Sequence, residues 1–319
     1  MSKIHVYHHN DHDGIVAAGV LYNQYAKNNY KDEDIIFYMI DYDKELNFDH
    51  IDLNTDEVYF LDYSFSSPHN LKAFEELLDR RPNYTCVTWI DHHKTSIGVF
   101  EDKHIPGKRN AALCGAAWAY LYTLNASMIH LYVVYSTQAD MDKEKTSKDF
   151  HDNPIIPKFI KLIDDYDCWK KLYSYTNDFH YGLTISSPTD DIINSLLSDE
   201  IDDSANIAVI IKYGSQIQKF LEFENREYHV NMYGFEYTLP EEHGGLKCFC
   251  MNRKGNSIMF GDKIDEYDAV IPFFYVNGKW KYSIFSNKEN IDCSEVAKTY
   301  GGGGHKGAAG WITDKLIFE

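Results

Sequence analysis

Histidine and aspartate residues follow the first apolar run of the chain at close spacing. His9, Asp11 and Asp13 come directly after a predicted strand that begins at Ile4, and Gly14 then opens an apolar helical pattern. Ligands of an α/β sheet bind at the carboxyl ends of its strands, where these side chains would lie. Neighbouring carboxylates repel one another, and a divalent cation such as Mn2+, Mg2+ or Zn2+ relieves that repulsion. A turn that caps the helix is the alternative, and this segment alone does not decide between the two.

Two later strands are also predicted to end in acidic residues. One of them ends at Asp62, and the other ends in the series Asp91-His92-His93. The alternation of strands and helices up to about residue 180 is typical of parallel βαβ units, whose strand ends share one edge of the sheet. Three acidic strand ends at one edge are hard to explain as solvated caps. The sequence therefore predicts a cluster of carboxylates and imidazoles at that edge.

A fourth acidic segment follows the apolar run of residues 159–163. It contains Asp164, Asp165 and Asp167. One of these carboxylates can join the cluster, and the others can cap a turn.

Four consecutive glycines near the end of the chain precede His305 and Lys306. Glycine is favourable where backbone approaches a ligand closely, and successive N–H groups in such a loop can form an anion-binding nest. A helix after the loop would add its positive end, and both side chains would donate to phosphate. A flexible tail is the alternative, but small residues and the apolar Trp311 continue in order after the loop. We therefore expect a phosphate-binding loop.

The composition indicates a globular protein that does not bind long nucleic acid. The chain has 319 residues, 44% of them hydrophobic, with 31 Lys and Arg against 49 Asp and Glu, a formal charge of −18. That charge opposes binding to long nucleic acid, which depends on phosphate neutralisation, but it permits a short phosphorylated substrate. No apolar run approaches the roughly 20 residues of a membrane span, and the start of the chain has no signal-peptide pattern. We expect a cytoplasmic protein with six reduced cysteines.

The pattern of elements predicts an α/β protein with two lobes. We expect an N-terminal parallel-sheet domain over residues 1–185, a helical connector over 186–230 and a smaller C-terminal α/β domain over 231–319. Within the last domain, Asn277-Gly278 predicts a β-hairpin.

Five motifs occur together in this chain and in a fixed order. They are HNDHDG at 9–14, LD at 61–62, DHH at 91–93, DYD at 165–167 and GGGGHKGAAG at 301–310. This series resembles the DHH phosphoesterase superfamily with its C-terminal DHH-associated domain, the group of nanoRNases, RecJ-like exonucleases and cyclic-dinucleotide phosphodiesterases. The resemblance covers nearly the whole chain, and the pairing of DHH with the glycine motif is very specific.

The resemblance implies a pair of Mn2+ ions, with Mg2+ or Co2+ as substitutes, held in the N-terminal lobe. The implied ligands are His9 and Asp11 for one ion, Asp13, His92 and Asp165 for the other, and Asp62 as the bridge between them.

The resemblance also implies a catalytic group and a substrate-binding group. Asp91 would orient His92, and His93 would lie near the phosphate, so these three residues would form the catalytic group. The C-terminal lobe would hold the substrate across a cleft between the lobes. The implied substrate-binding residues are His93, Gly302, Gly303, Gly304, His305 and Lys306.

This chain departs from the family pattern at two places. Some members have a metal-binding histidine where this chain has Tyr7. His9 matches the position of the metal-binding histidine in other members, and His8 is the alternative ligand. Many exonuclease-type members have an arginine where this chain has Phe285. Phenylalanine cannot pair with phosphate as arginine does, but it could stack on a base.

These inferences predict two-metal hydrolysis of phosphodiester bonds in short oligonucleotides or dinucleotides. The alternatives are a cyclic-dinucleotide phosphodiesterase, a 3′-phosphoadenosine 5′-phosphate phosphatase and, outside enzymes, a nucleotide-binding regulatory module. We expect neither membrane nor long duplex nucleic acid as a partner, and a homodimer is left open.

Overall fold

The computed structural model describes residues 2–27, 31–42, 44–80, 86–97, 99–100, 104–128, 143–186, 204–230 and 234–318. The chain divides into two compact units, Met1–Gly214 and Ser215–Glu319. This division falls within the helix Ser204–Val230. Most of the predicted connector before that helix, residues 187–203, lies outside the described residues. The predicted boundaries at residues 185 and 230 therefore stay predictions.

A four-stranded sheet forms the centre of the first unit. Its strands are β1 (Ile4–His9), β2 (Ile35–Ile40), β3 (Glu57–Leu61) and β4 (Val87–Ile90). They lie in the order β2-β1-β3-β4, and all three pairings are parallel. In register, His9 pairs with Ile40 and Leu61 pairs with Ile90, so the four strands end at a common edge. The predicted parallel sheet is thus confirmed.

Helices accompany this sheet, and some of them cover its two faces. They are α1 (His12–Lys27), α2 (Pro68–Asp79), α3 (Gly115–Met128), α4 (Lys143–Asp152), α5 (Lys158–Asp167), α6 (Thr176–Ser186) and α7 (Ser204–Val230). Successive strand residues point to opposite faces. Tyr59 and Leu61 join a core with α1, α3 and α5, whereas Val58 and Phe60 join a second core with α2. Burial on both faces explains why the neighbouring strands β3 and β4 are mostly apolar.

A mixed six-stranded sheet forms the second unit. Its strands are β5 (Gly234–Thr238), β6 (Lys247–Asn252), β7 (Ala269–Val276), β8 (Lys279–Phe285), β9 (Gly303–Gly304) and β10 (Ala308–Thr313), in the order β5-β6-β7-β8-β10-β9. Two short helices, α8 (Lys263–Glu266) and α9 (Cys293–Thr299), accompany them. Asn277 and Gly278 both have positive φ and join β7 to β8, the hairpin that the sequence predicts.

Among the helices within the described ranges, none combines the length and the apolar character that crossing a membrane requires.

Candidate metal centre

The common edge of the first sheet carries the acidic cluster that the sequence predicts. His9 ends β1, Asp62 follows β3, and the Asp91 motif follows β4, while Asp13 lies in the first turn of α1. Asp62 has a φ of 55° and donates its N–H to the carbonyl of Ile90 at 2.8 Å. A left-handed backbone is costly for aspartate, and such strain occurs preferentially at functional sites.

His92 lies at one side of Asp62 and faces three carboxylates. Its Nε2 lies 3.1 Å from Asp62 Oδ1, 3.1 Å from Asp167 Oδ2 and 3.4 Å from Asp13 Oδ2. The His92 side chain is only 1% exposed. This group offers one nitrogen and three oxygens around a small buried volume, which is a donor set suited to Mn2+ or Mg2+.

His9 lies at the other side of Asp62. Its Nδ1 is 2.8 Å from Asp11 Oδ2 and 3.7 Å from Asp62 Oδ2. Asp62 therefore directs one carboxylate oxygen toward each histidine. The ligand atoms of His9, Asp11 and Asp62 lie within 4.8 Å of one another, and so do those of Asp13, Asp62 and His92.

Burial makes this concentration of negative charge unfavourable. Burial, reinforced by the charge of neighbouring carboxylates, raises the pKa of Asp13, Asp62 and Asp167 well above the ordinary aspartate value. Burial would lower the pKa of His9, but the carboxylates of Asp11 and Asp62 raise it to about 11. A positive charge is therefore favoured at both sides of Asp62.

Asp62 gives the most direct test of whether a cation fits. Both of its carboxylate oxygens are buried, and neither accepts a hydrogen bond from any residue that the structure describes. Buried carboxylate oxygens without donors cost free energy unless a cation compensates them. The residues present therefore fit divalent cations on both sides of Asp62.

Helix α3 holds Asp13 through its first backbone N–H groups. Gly115 N donates to Asp13 Oδ2 at 2.7 Å, and Ala116 N donates to Asp13 Oδ1 at 2.6 Å. The positive end of the helix also favours the carboxylate. The sequence analysis did not single out this helix as part of the site. A glycine at the start of an Ala-rich helix was the available signal.

Asp91 orients His93, whereas the sequence analysis expected it to orient His92. Asp91 Oδ1 lies 2.7 Å from His93 Nδ1 and accepts the backbone N–H of His92 at 2.8 Å, and Ser96 Oγ donates to Oδ2. Burial would raise the pKa of Asp91, but His93 lowers it. Tyr42, which the sequence did not single out, places its hydroxyl 3.5 Å from His93 Nε2.

Asp167, and not Asp165, reaches the cluster. Asp165 is buried, but its carboxylate accepts the N–H groups of Leu172 at 2.7 Å and Tyr173 at 3.2 Å, and the hydroxyl of Thr176. It therefore caps the segment before α6 and does not face the other carboxylates. The expected place of Asp165 in the cluster is taken by Asp167, whose Oδ2 lies 3.1 Å from His92 Nε2.

His9, and not His8, faces Asp62. His8 is 7% exposed, and its Nδ1 lies 3.0 Å from the carbonyl oxygen of His9. The alternation of side chains along β1 places the two imidazoles on opposite faces.

The glycine loop of the second unit forms a hairpin instead of an open anion nest. A Cβ on Gly302 would lie 2.1 Å from Gly310 O, and a Cβ on Gly304 would lie 2.6 Å from Ala309 Cα. Gly301 N and Gly302 N donate to carbonyls of α9, and His305 N donates to Ala308 O at 2.7 Å. The strand β10 follows the loop, where we expected a helix. These three N–H groups are thus used by the fold and do not contribute to an anion nest.

Phe285 contributes to a small apolar cluster of the second unit. It is partly buried against Met251, Phe260 and Val270. This placement limits the ring face that a base could stack on.

Comparisons with known proteins agree with this fold. No family model matches the chain. Oligoribonuclease NrnB of Bacillus subtilis is 23% identical, covering 98% of this chain and 73% of NrnB. An uncharacterized protein of Acanthamoeba polyphaga mimivirus is 25% identical over 50% of this chain, and the match spans only 38% of the viral protein.

One solved structure shows the fold directly. The DHH domain of a member of the S1p family of ribosomal proteins matches with a TM-score of 0.53 and 14% identity, covering 98% of this chain and 82% of that one. RecJ of Thermus thermophilus with Mn2+ matches with a TM-score of 0.46 and 15% identity over 99% of this chain and 50% of that one.

Proposed function

We propose that this chain, which has the fold and the motif series of the DHH phosphoesterase superfamily, hydrolyses phosphodiester bonds of short oligonucleotides or dinucleotides with bound divalent cations. The observation that carries the proposal is Asp62. It holds two buried carboxylate oxygens without hydrogen-bond donors, between the His9 and His92 groups at one sheet edge.

Six residues would hold the cations in this proposal. His9 and Asp11 would bind one ion; Asp13, His92 and Asp167 would bind the other; Asp62 would bind both. The mixed oxygen and imidazole donors favour a pair of Mn2+ ions, with Mg2+ or Co2+ as substitutes. When bound, such a pair supplies a water molecule of lowered pKa and positive charge for the phosphate oxygens.

The protein's own residues would position the reacting groups. Asp91 fixes the His93 ring through Nδ1. Nε2, which lies 3.5 Å from the Tyr42 hydroxyl, would donate to a phosphate oxygen or to the leaving group of a bound substrate. Burial would lower the pKa of His93, but Asp91 raises it, which favours the protonated imidazole. Gly115 and Ala116 keep Asp13 in place through their N–H groups. His305 and Lys306 would bind substrate phosphate.

A short substrate is supported by charge and by similarity. The formal charge of −18 disfavours a long polyanion, whose binding requires many basic contacts. The similarity to NrnB, named an oligoribonuclease, extends over 98% of this chain. Linear di- to hexanucleotides are therefore the proposed substrates.

A hydrolysis panel with Mn2+ tests this proposal. It contains RNA and DNA of two to six nucleotides, cyclic dinucleotides and 3′-phosphoadenosine 5′-phosphate, with products identified by mass. We expect the short linear oligonucleotides to be hydrolysed fastest. Preference for a cyclic dinucleotide or for the phosphoadenosine would contradict the proposed substrate class.

Two variants connect the activity to the centre. Asp62→Asn keeps the shape of the side chain but removes the charge that both cations need, so activity should fall at least about 100-fold. Asp149→Asn, at an exposed position of α4, is the matched control and should retain activity. A nucleotide-binding regulatory module would instead show no Mn2+-dependent hydrolysis of any member of the panel.

A further inference from the structure

Cys168 lies directly after α5 and contacts the back of the His92 ring. Its Sγ lies 3.8 Å from His92 Nδ1 and 3.6 Å from Asp164 Oδ1, within hydrogen-bond range for sulfur. His92 Nε2, on the opposite side of the same ring, faces the carboxylates of Asp62 and Asp167. The thiol therefore lies between a proposed metal ligand and a carboxylate that belongs to neither cation group.

Asp164 is a fixed acceptor at the far side of the thiol. It is fully buried and accepts from Cys114 N at 2.7 Å and from Lys170 Nζ at 2.5 Å, while His151 Nε2 lies 2.7 Å away. Lys170 also donates to the carbonyl of Ala112 at 2.8 Å. These donors hold Asp164 as a carboxylate, which has no hydrogen to give. The hydrogen between Cys168 and Asp164 must therefore come from sulfur.

The direction of this first hydrogen bond determines the second. A thiol that gives its hydrogen to Asp164 can only accept from His92, so the His92 ring must carry its proton on Nδ1. Nε2 then presents its lone pair to the space between Asp13, Asp62 and Asp167. A metal-binding histidine commonly donates its other N–H to a carboxylate, a carbonyl or water.

We propose that Cys168 is a positioning residue of the metal centre: its sulfur accepts the Nδ1–H of His92, its S–H donates to Asp164, and the pair of bonds fixes the tautomer and orientation in which Nε2 binds a cation. This inference rests on the proposed function, because it requires that a cation binds at His92. It adds a residue that the motif series does not contain.

Mn2+ affinity measures this role independently of catalysis. Free Mn2+ is titrated into the full chain and followed by electron paramagnetic resonance, for the wild type, Cys168→Ala and Cys168→Ser. Loss of such a supporting partner typically costs about 10- to 100-fold in metal affinity, which we expect for Cys168→Ala. Serine keeps a donor and an acceptor on a shorter bond. The Mn2+ affinity of Cys168→Ser should therefore lie between those of the wild type and Cys168→Ala.

Cys86→Ala is the matched control, since Cys86 is also a partly buried thiol but lies outside the centre. It should bind Mn2+ as the wild type does. The unfolding temperatures of the metal-free variants show whether a loss of affinity is only a loss of fold. If the wild type binds Mn2+ and the affinity of Cys168→Ala is within about threefold of the wild-type value, the role of Cys168 is refuted while the metal centre stands, since loss of an outer-shell partner at other metal sites costs more than this. If the wild type binds no Mn2+, the proposed function itself fails.

The tautomer of His92 in the wild-type chain offers a second check. Nitrogen-15 NMR of histidine-labelled protein with Mg2+ reports which ring nitrogen of His92 carries the proton, and His92→Asn identifies the signal. A proton on Nδ1 supports the proposal. A proton on Nε2 overturns it.

Discussion

Gly115 leaves no room for a side chain beside Asp62: a Cβ at position 115 would lie 2.7 Å from Asp62 Cβ. The same Cβ would lie 3.1 Å from Asp13 Oδ2, which accepts the Gly115 N–H. The start of α3 therefore sets the spacing between two proposed ligands of the centre. Glycine is required here by close approach, since no positive φ is involved.

Gly115→Ala should weaken the metal centre. The added methyl group has to displace Asp62 or Asp13, and both would bind the same cation. We expect Mn2+ affinity and activity to fall at least about tenfold, because even small displacements of catalytic groups are costly. Titration calorimetry with Mn2+ and initial hydrolysis rates measure the two effects.

Ala116→Gly is the matched control for that variant. It keeps both N–H groups that bind Asp13, but it removes a buried methyl group and lowers helix propensity by about 1 kcal/mol. Stability should therefore fall while Mn2+ affinity is retained. Equal metal affinity in Gly115→Ala and the wild type would show that the spacing is not set at this position.

Asp165→Asn and Asp167→Asn should have opposite effects. Asp165 accepts two backbone N–H groups and a hydroxyl, so its loss should lower the free energy of unfolding by about 1.5–3 kcal/mol and leave Mn2+ binding intact. Asp167 lies among like charges, so Asp167→Asn should retain the metal-free stability and lose Mn2+ affinity. Denaturant unfolding and Mn2+ titration of both variants distinguish the roles, and the reverse pattern would restore Asp165 as the ligand.

The sequence predicted the sheet and the edge where the site lies, because both depend on local patterns. Apolar strands that end at His9, Asp62 and Asp91 fix the parallel arrangement, since parallel strands bring those ends together. The choice between Asp165 and Asp167 could not be made in this way. It depends on how the chain turns after α5, where Trp169 has a φ of 57° and Leu172 returns its N–H to Asp165.

The roles of the glycine loop and of Gly115 could not be predicted from the sequence for a related reason. Glycine is favoured equally by ligand approach and by close packing of backbone, and the sequence does not distinguish these causes. In this chain Gly302 and Gly304 are required by β10, while Gly115 is required by Asp62. Contacts between segments distant in sequence decide each case.

His5 should make the protein less stable in acid. It is buried between Asp56 and Tyr38, with Nε2 3.2 Å from Asp56 Oδ2 and Nδ1 3.1 Å from Tyr38 Oη. Burial lowers its pKa below the ordinary value of 6.5, although Asp56 opposes this shift. The unfolded chain therefore binds a proton near pH 6.5 that the folded chain resists. The contribution of His5 to the free energy of unfolding is therefore fully present above that pH. Below it, the free energy of unfolding falls by at most about 1.4 kcal/mol per pH unit.

Urea unfolding from about pH 7.5 to about pH 5 measures this slope. His5→Phe keeps an aromatic ring beside Tyr38 and should reduce the slope. A residual slope should remain, because burial also lowers the pKa of His12 and lowers that of His180 to about 3. His69→Gln changes an exposed histidine and should leave the slope as in the wild type. A slope in His5→Phe equal to that of the wild type would assign the acid sensitivity to other groups.

Gly301→Ala and Gly302→Ala test whether the glycine loop is needed for packing. Gly301 has a φ of 79° but open space around its Cβ position, so alanine should cost only about 1–2 kcal/mol of backbone strain. At Gly302 a Cβ would lie 2.1 Å from Gly310 O and 2.6 Å from Trp311 Cβ. We expect a larger loss there, about 3 kcal/mol, because the hairpin must separate. His305→Ala should instead raise the KM for oligonucleotides, since it removes a proposed phosphate donor. If Gly302→Ala unfolds no more easily than Gly301→Ala and only its KM rises, the glycines serve the substrate directly and not the hairpin.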